Sequence, residues 1–362
     1  MSSSAFHQPP PRGGAGFSLV ELLVAMTLGL VAIAGLGQLY VGGRDAQRIV
    51  DANASLTEKA RFALEFLARD IRMAGYFTCG GQRAAIANAL NDGVYWFDIR
   101  GIDGVDGGDG SQPVTGLPAV FAGPPNPLPG SDLLVLRYAD TKQLIPIGAD
   151  DLVPDQQRFD FASSHPFGIG DIAVVNDAAC TQTAIFQVTG LPDSAPKSIS
   201  YSAAAAATPG NCTNNLAGDY TCTDLAPSRG LTGGEYRGGN IAPLVARAFF
   251  VANLPAQQCQ QPAGGCAVLN DCPALFIAGT DGNGAVAVLH DVSAMQIDYG
   301  LDDDELPGVD RYVTANELTS DADWSQVRSV RTTLNMVRAD CRVVAFAGIV
   351  ALRNPPLLTA PD

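Results

Sequence analysis

Glu21 is the first residue whose chemistry needs explaining. It heads "ELLVAMTLGLVAIAGLGQLYV", and the 20 residues from Leu22 to Val41 carry no charge. A carboxylate beside a low-dielectric phase is costly unless it is protonated or meets a cation. Gly16 and Phe17 stand just before it, behind a short polar segment whose only charged side chain is Arg12. The eight cysteines, Cys79, Cys180, Cys212, Cys222, Cys259, Cys266, Cys272 and Cys341, all follow the apolar run, and none forms a CxxC. Their irregular spacing does not suit zinc, and an oxidising compartment with disulfides is the expectation. Eight cysteines leave the connectivity open, although Cys212 and Cys222 flank a polar loop in which a pair is plausible. Asp302, Asp304 and Asp310 offer oxygen ligands of the kind calcium takes, but without the glycine and glutamate of an EF-hand loop. The competing reading is an acidic solvated loop. Asp103, Asp106 and Asp109 recur at three-residue spacing and read as a flexible exposed loop. Three histidines, His7, His165 and His290, sit in no catalytic pattern, and no HExxH, GxSxG or phosphate-binding glycine loop is present. No enzyme activity is therefore expected, and no cofactor beyond calcium.

The elements that position these residues follow from periodicity. The uncharged run is long enough to cross the hydrocarbon core, about 20 residues of helix. From Arg44 to Phe77 the spacing turns amphipathic: Leu56, Ala60, Ala63, Leu64, Leu67 and Ile71 recur at three and four, with charges including Glu58, Glu65, Arg69 and Asp70 on the other faces. Glu65 is placed to pair with Arg69, and Gly75 is a stop signal. One helix from about Phe17 to Ala74 is expected, roughly 87 Å long at the α-helical rise. Beyond Gly75 the pattern becomes short strands between Gly/Pro-rich loops: 132–139, 171–177, 183–190, 243–253, 274–279, 286–300, 327–338 and 341–353. The stretches 101–113, 122–132 and 202–230 read as loops, and 202–211 as low complexity. Tyr95, Trp96, Phe97 and Trp324 are expected in the core or an interface. The formal charge is −15, with 22 basic and 37 acidic residues. That balance argues against nucleic acid as a partner.

Three readings of the amino terminus compete: a cleaved secretory signal, a plain membrane anchor, and a processed leader. The apolar run is longer than a secretory h-region, and a plain anchor gives Glu21 no role. "GFSLVE" resembles the processing motif of type IV pilins and type II secretion pseudopilins. "DIRMAGYF", "SDLLVLRYAD", "GDIAVVNDAACTQTAIFQVT", "LHDVSAMQIDYGLDDD", "WSQVRSVRTTLNMVR" and "VALRNPP" resemble the PilW family of type IV pilus assembly proteins, large minor pilins. The resemblance implies a pilin-like α+β fold, a long N-terminal helix packed on a large β-rich head. It implies a leader (1–16), a membrane or fibre-core half-helix (17–42), an amphipathic half-helix (43–75) and a periplasmic head (76–362). It also implies cleavage after Gly16 by a prepilin peptidase, N-methylation of Phe17, and Glu21 setting subunit register. Cys79 with Cys180 is the pair its cysteine contexts suggest. The implied role is structural: a minor pilin of an assembly-priming or tip complex serving adhesion and twitching motility. Its partners would be other minor pilins, the major pilin, the inner-membrane assembly platform and a tip adhesin. It would sit as a single-pass protein of the bacterial inner membrane and enter the extracellular pilus. The alternatives are a large type II secretion pseudopilin and, from another class, a membrane-anchored periplasmic enzyme or ligand-binding protein.

Overall fold

The computed structural model describes residues 18–78, 85–91, 95–97, 100–110, 125–192, 197–203, 209–218, 222, 236–255, 258–259, 272–279, 284–304, 308–338 and 341–354. The chain divides into two units, residues 1–55 and 56–362. Helix α1, Leu19–Met73, runs through the division. Its first part is exposed along its whole apolar surface and is long and apolar enough to cross a membrane.

The second unit begins with the amphipathic part of α1. Leu56, Ala60, Ala63, Leu67, Ala68 and Ile71 are buried there, the face that the three-and-four spacing marks. The helix ends at Gly75, whose φ of +76° suits glycine and whose N–H donates to the Arg137 carbonyl at 3.0 Å. A Cβ on Gly75 would stand 2.3 Å from the Asn354 carbonyl oxygen, so the turn also requires a missing side chain.

Among the described residues sixteen strands follow: β1 (Ala85–Asn88), β2 (Ile102–Val105), β3 (Leu133–Ala139), β4 (Ile145–Pro146), β5 (Leu152–Val153), β6 (Arg158–Asp160), β7 (Ile172–Asn176), β8 (Gln182–Gln187), β9 (Ser198–Ser200), β10 (Asn240–Asn253), β11 (Pro273–Gly279), β12 (Val286–His290), β13 (Val292–Leu301), β14 (Arg311–Val313), β15 (Val327–Val337) and β16 (Val343–Ala351), with a short helix α2 (Asp321–Ser325) before β15. The architecture is α+β and pilin-like, a long N-terminal helix followed by a β-rich head. The largest sheet runs β1-β8-β7-β10-β11-β12, with β3 and β4 also on β10 and β2 on β3. A second sheet runs β14-β13-β15-β16, and a small one β5-β6-β9. Apart from the parallel β1–β8 pair, the ladders are antiparallel. The main core lies where the α1 stripe meets Leu134, Phe249, Met295, Ile297 and Leu334. Phe66 of the helix meets Phe249 edge-on at 6.0 Å. A separate aromatic core gathers Phe159, Phe186, Tyr201 and Tyr236.

Four expectations need correction. The stretch 101–113 is not simply a loop: Ile102–Val105 pairs with β3, and Asp103 is buried. Its charge is tolerated because Arg100 stands 3.5 Å and Arg137 3.8 Å away. Of its companions, Asp109 is exposed in the following turn, and Asp106 accepts the Gly108 N–H at 2.7 Å. Asp70 is not on a solvated face: it is 4% exposed and bonded to Arg247. Glu65 pairs with Arg61 at 2.8 Å rather than with Arg69, using the alternative i,i+4 neighbour. The run 286–300 is two strands, broken at Asp291, which takes a left-handed φ of 66°. The expectations for three of the four aromatic residues agree with the structure: Trp324 is buried edge-on against Tyr299 at 4.9 Å, and Trp96 and Phe97 pack beside core clusters, while the Tyr95 side chain lies outside those described.

Candidate functional site

Gly16 and Phe17 lie outside the described residues, so the structure begins at Ser18. The Ser18 hydroxyl accepts the Glu21 N–H at 3.2 Å, and its carbonyl accepts the Leu22 N–H at 3.1 Å. Ser18 thus caps the first turn of α1 and places Glu21 at the third helical position, where the dipole favours an anion. The "SLVE" spacing is the S-x-x-E signature of a helix start, a signal that the sequence reading left unused. Glu21 is exposed on its own helix. It is therefore available to a cation, and a membrane or fibre core would make that encounter favourable.

In the head the helix is fastened by charge as well as by packing. Asp70 Oδ2 lies 2.8 Å from Arg247 Nη1, with Asp70 almost fully enclosed. Tyr138 is buried near the Asp70 carboxylate, and burial, with that neighbouring charge, pushes the phenol well above its usual range. Lys59 reaches Asp291 at 2.9 Å. Arg137, fully buried within β3, donates to the carbonyls of Trp96 and Arg100, both at 3.0 Å. It thereby ties the segment before β2 to the sheet. Its signal was the arginine inside "DLLVLRYA", a charge that a buried strand must satisfy. Asp132 joins three segments: it accepts the Gly107 N–H at 2.8 Å and the Ile297 N–H at 2.7 Å, while its own N–H donates to Met295. Its burial raises the carboxyl to about 6 despite the two backbone donors.

Cys212 is bonded to Cys222, with their Cα atoms 6.1 Å apart, and Cys259 to Cys272, at 5.6 Å. Cys180 and Cys341 are also in disulfides. Cys79 and Cys266 lie outside the described residues, and with Cys79 the expected Cys79–Cys180 pair. The carboxylates of Asp302, Asp304 and Asp310 do converge, with one oxygen of each within 4.8 Å of the others. Arg328 meets Asp302 at 3.3 Å, and the Asp310 carboxylate accepts the Asp303 N–H at 2.7 Å. The loop thus holds part of its charge with its own donors. His165 is buried, its Nε2 3.3 Å from the Ser198 carbonyl, and His290 ends β12. They share no site. A cleft of about 1090 Å³ opens in the head, and its described lining includes no serine, cysteine or histidine.

A membrane-length helix whose amphipathic end belongs to the core of a β-rich head defines a pilin-like protein. Residues 249–342 match the family model of the type IV pilus-assembly protein W, and residues 12–37 match the prokaryotic N-terminal methylation motif. The chain is thus a type IV pilus-related, pilin-like protein, and its PilW resemblance is shown over the part of the head from the end of β10 through β15. No curated protein and no solved structure gave a match.

Proposed function

We propose that this protein is a minor pilin, a structural subunit of the complex that primes type IV pilus assembly and sits at the fibre tip. The observation that carries this reading is the pairing of a methylation motif over 12–37 with a PilW-type head segment over 249–342 on one chain. A prepilin peptidase cleaves after Gly16 and the new Phe17 amino terminus is methylated. Glu21 meets a Phe17 ammonium, its own or a neighbour's. Each charge lowers the other's desolvation cost in an apolar fibre core, and their pairing sets the axial register of the subunit. The apolar first part of α1 holds the subunit in the inner membrane before assembly, with the head in the periplasm. Other minor pilins, the major pilin and the assembly platform are its partners. The role needs no catalysis.

The test is complementation. A deletion strain is expected to lose surface pili and twitching, and the wild-type gene to restore both. Glu21→Ala should yield processed, membrane-held protein that fails to enter sheared pili and fails to co-purify with the other minor pilins. Normal pili in the deletion strain would refute the assembly role; normal incorporation of the variant would refute the register role of Glu21.

A further inference from the structure

The four-stranded sheet runs β14-β13-β15-β16, so β16 is its last strand. It pairs with β15 without a bulge, from Val343 opposite Val337 to Ala351 opposite Ser329. Among the described residues no strand is registered on its other edge. The direction of its backbone groups follows from the two bonds that extend the ladder. The Arg338 N–H donates to the Arg342 carbonyl at 2.9 Å, and the Leu352 N–H to the Arg328 carbonyl at 2.8 Å. Even-numbered residues therefore bond β15, and alternation turns the N–H and C=O groups of Val343, Ala345, Ala347, Ile349 and Ala351 outward. All of these residues are exposed, Val343 by 50% and Ile349 by 62%.

Edge strands usually carry a charge, a proline or a bulge that blocks further pairing. β16 reads "VVAFAGIVA" and has none of these. The nearest charges in sequence, Arg342 and Arg353, stand beyond its two ends. Its even residues make the inner face. Val344 and Phe346 pack against the main core, and Gly348 lies against Leu64 of α1, whose Cδ2 is 3.5 Å from where a Cβ would stand.

The strand is also self-complementary. Turned about a two-fold axis through its midpoint, Ala347, it lies antiparallel to itself over its full length. Every outward N–H and C=O then meets an outward partner: Val343 with Ala351, Ala345 with Ile349, Ala347 with Ala347. Phe346 comes opposite Gly348 and Val344 opposite Val350, in the closer, non-hydrogen-bonded positions. The largest side chains thus meet small ones, no charges are opposed within the strand, and a phenyl ring covers a glycine across the strands.

We propose that the open edge of β16 docks a second copy of this chain in this register, joining two four-stranded sheets into one. The interface rests on the head alone and not on the assembly role. A strand of nine residues, about 30 Å long, is a small edge beside the ~1,200–2,000 Å² of a stable complex. The association is therefore reversible and rises with concentration.

The test uses the full-length protein in detergent micelles. Ala347→Cys places two thiols across the axis, with about 5.5 Å between Cα atoms, a distance that a disulfide spans. Oxidation should yield a cross-linked dimer. Ala345→Cys mixed with Ile349→Cys should also cross-link. Ala345→Cys alone should not, because its counterpart stands about 13 Å away along the strand. In sedimentation equilibrium the unsubstituted protein should dimerise as its concentration rises. Ala347→Lys, which opposes two like charges, should weaken that dimer about tenfold or more. Equal cross-linking in all three combinations, no cross-linked dimer, or dimerisation indifferent to Ala347→Lys would overturn the proposal. So would cross-linking of Ala347→Cys in intact cells to a different protein and not to itself, which would give the edge to another partner's strand. Every substituted side chain is exposed, and an unchanged melting midpoint confirms that the variants are folded.

Discussion

A carboxylate removed from water needs donors or a cation, and three aspartates of the head meet that need differently. Asp70 has Arg247, Asp103 has two guanidinium groups nearby, and Asp132 has, among the described residues, only backbone N–H groups. The last arrangement leaves burial dominant, with the carboxyl at about 6. The sign of its effect follows from proton linkage. The folded state holds a proton that the unfolded chain releases near its ordinary value of 3.8. The group therefore costs stability as pH rises through the interval from 3.8 to about 6, and the cost is complete above it. Measured as urea midpoints of the detergent-solubilised protein, the wild type should lose stability relative to Asp132→Asn over that interval, and the difference should level off above it. A pH-independent difference would show that the carboxyl is not raised. None of these three environments was legible in the sequence. Asp70 reads as one more charge on an amphipathic helix, because its partner stands 177 residues away. Glu21 was legible, because its meaning rests on neighbours within a few residues.

Elements with a strong local period were legible, and those defined by a distant partner were not. The apolar stripe from Leu56 to Ile71 and the long Val/Ile/Phe-rich strands β3, β10, β13, β15 and β16 carry their own signal. Strands of two to four residues do not. β2 reads "IDGV" and β6 "RFD", and each is a strand only because β3 or β9 lies beside it. The pairing of β10 with both β7 and β11 was invisible for the same reason, since the two partners come from far-separated parts of the chain. The helix–head junction is the element most open to test. Leu67 is 1% exposed within the main core, and truncating it to alanine should cost about 2–5 kcal/mol in chemical denaturation. Gly75→Ala should also destabilise strongly, through both its positive φ and the approach of the Asn354 carbonyl. Loss of less than about 0.5 kcal/mol in both variants, the scale of a surface substitution, would mean that this segment of α1 is not docked as described.

For the molecule as a whole, the division of labour along the chain is the main result. The first unit offers an apolar helix with one carboxylate near its start, and the second builds a head whose core takes in the end of that helix. The family matches fall on both units. In the proposed function Glu21 gains an ammonium to meet only when the leader is removed. Mass spectrometry of the intact protein extracted from the membrane tests this most directly. The predicted result is a chain that begins at Phe17, one unit more acidic for the loss of Arg12, with a single methyl group on its amino nitrogen. A chain that retains the leader, or that begins at any residue beyond the apolar run, would contradict it.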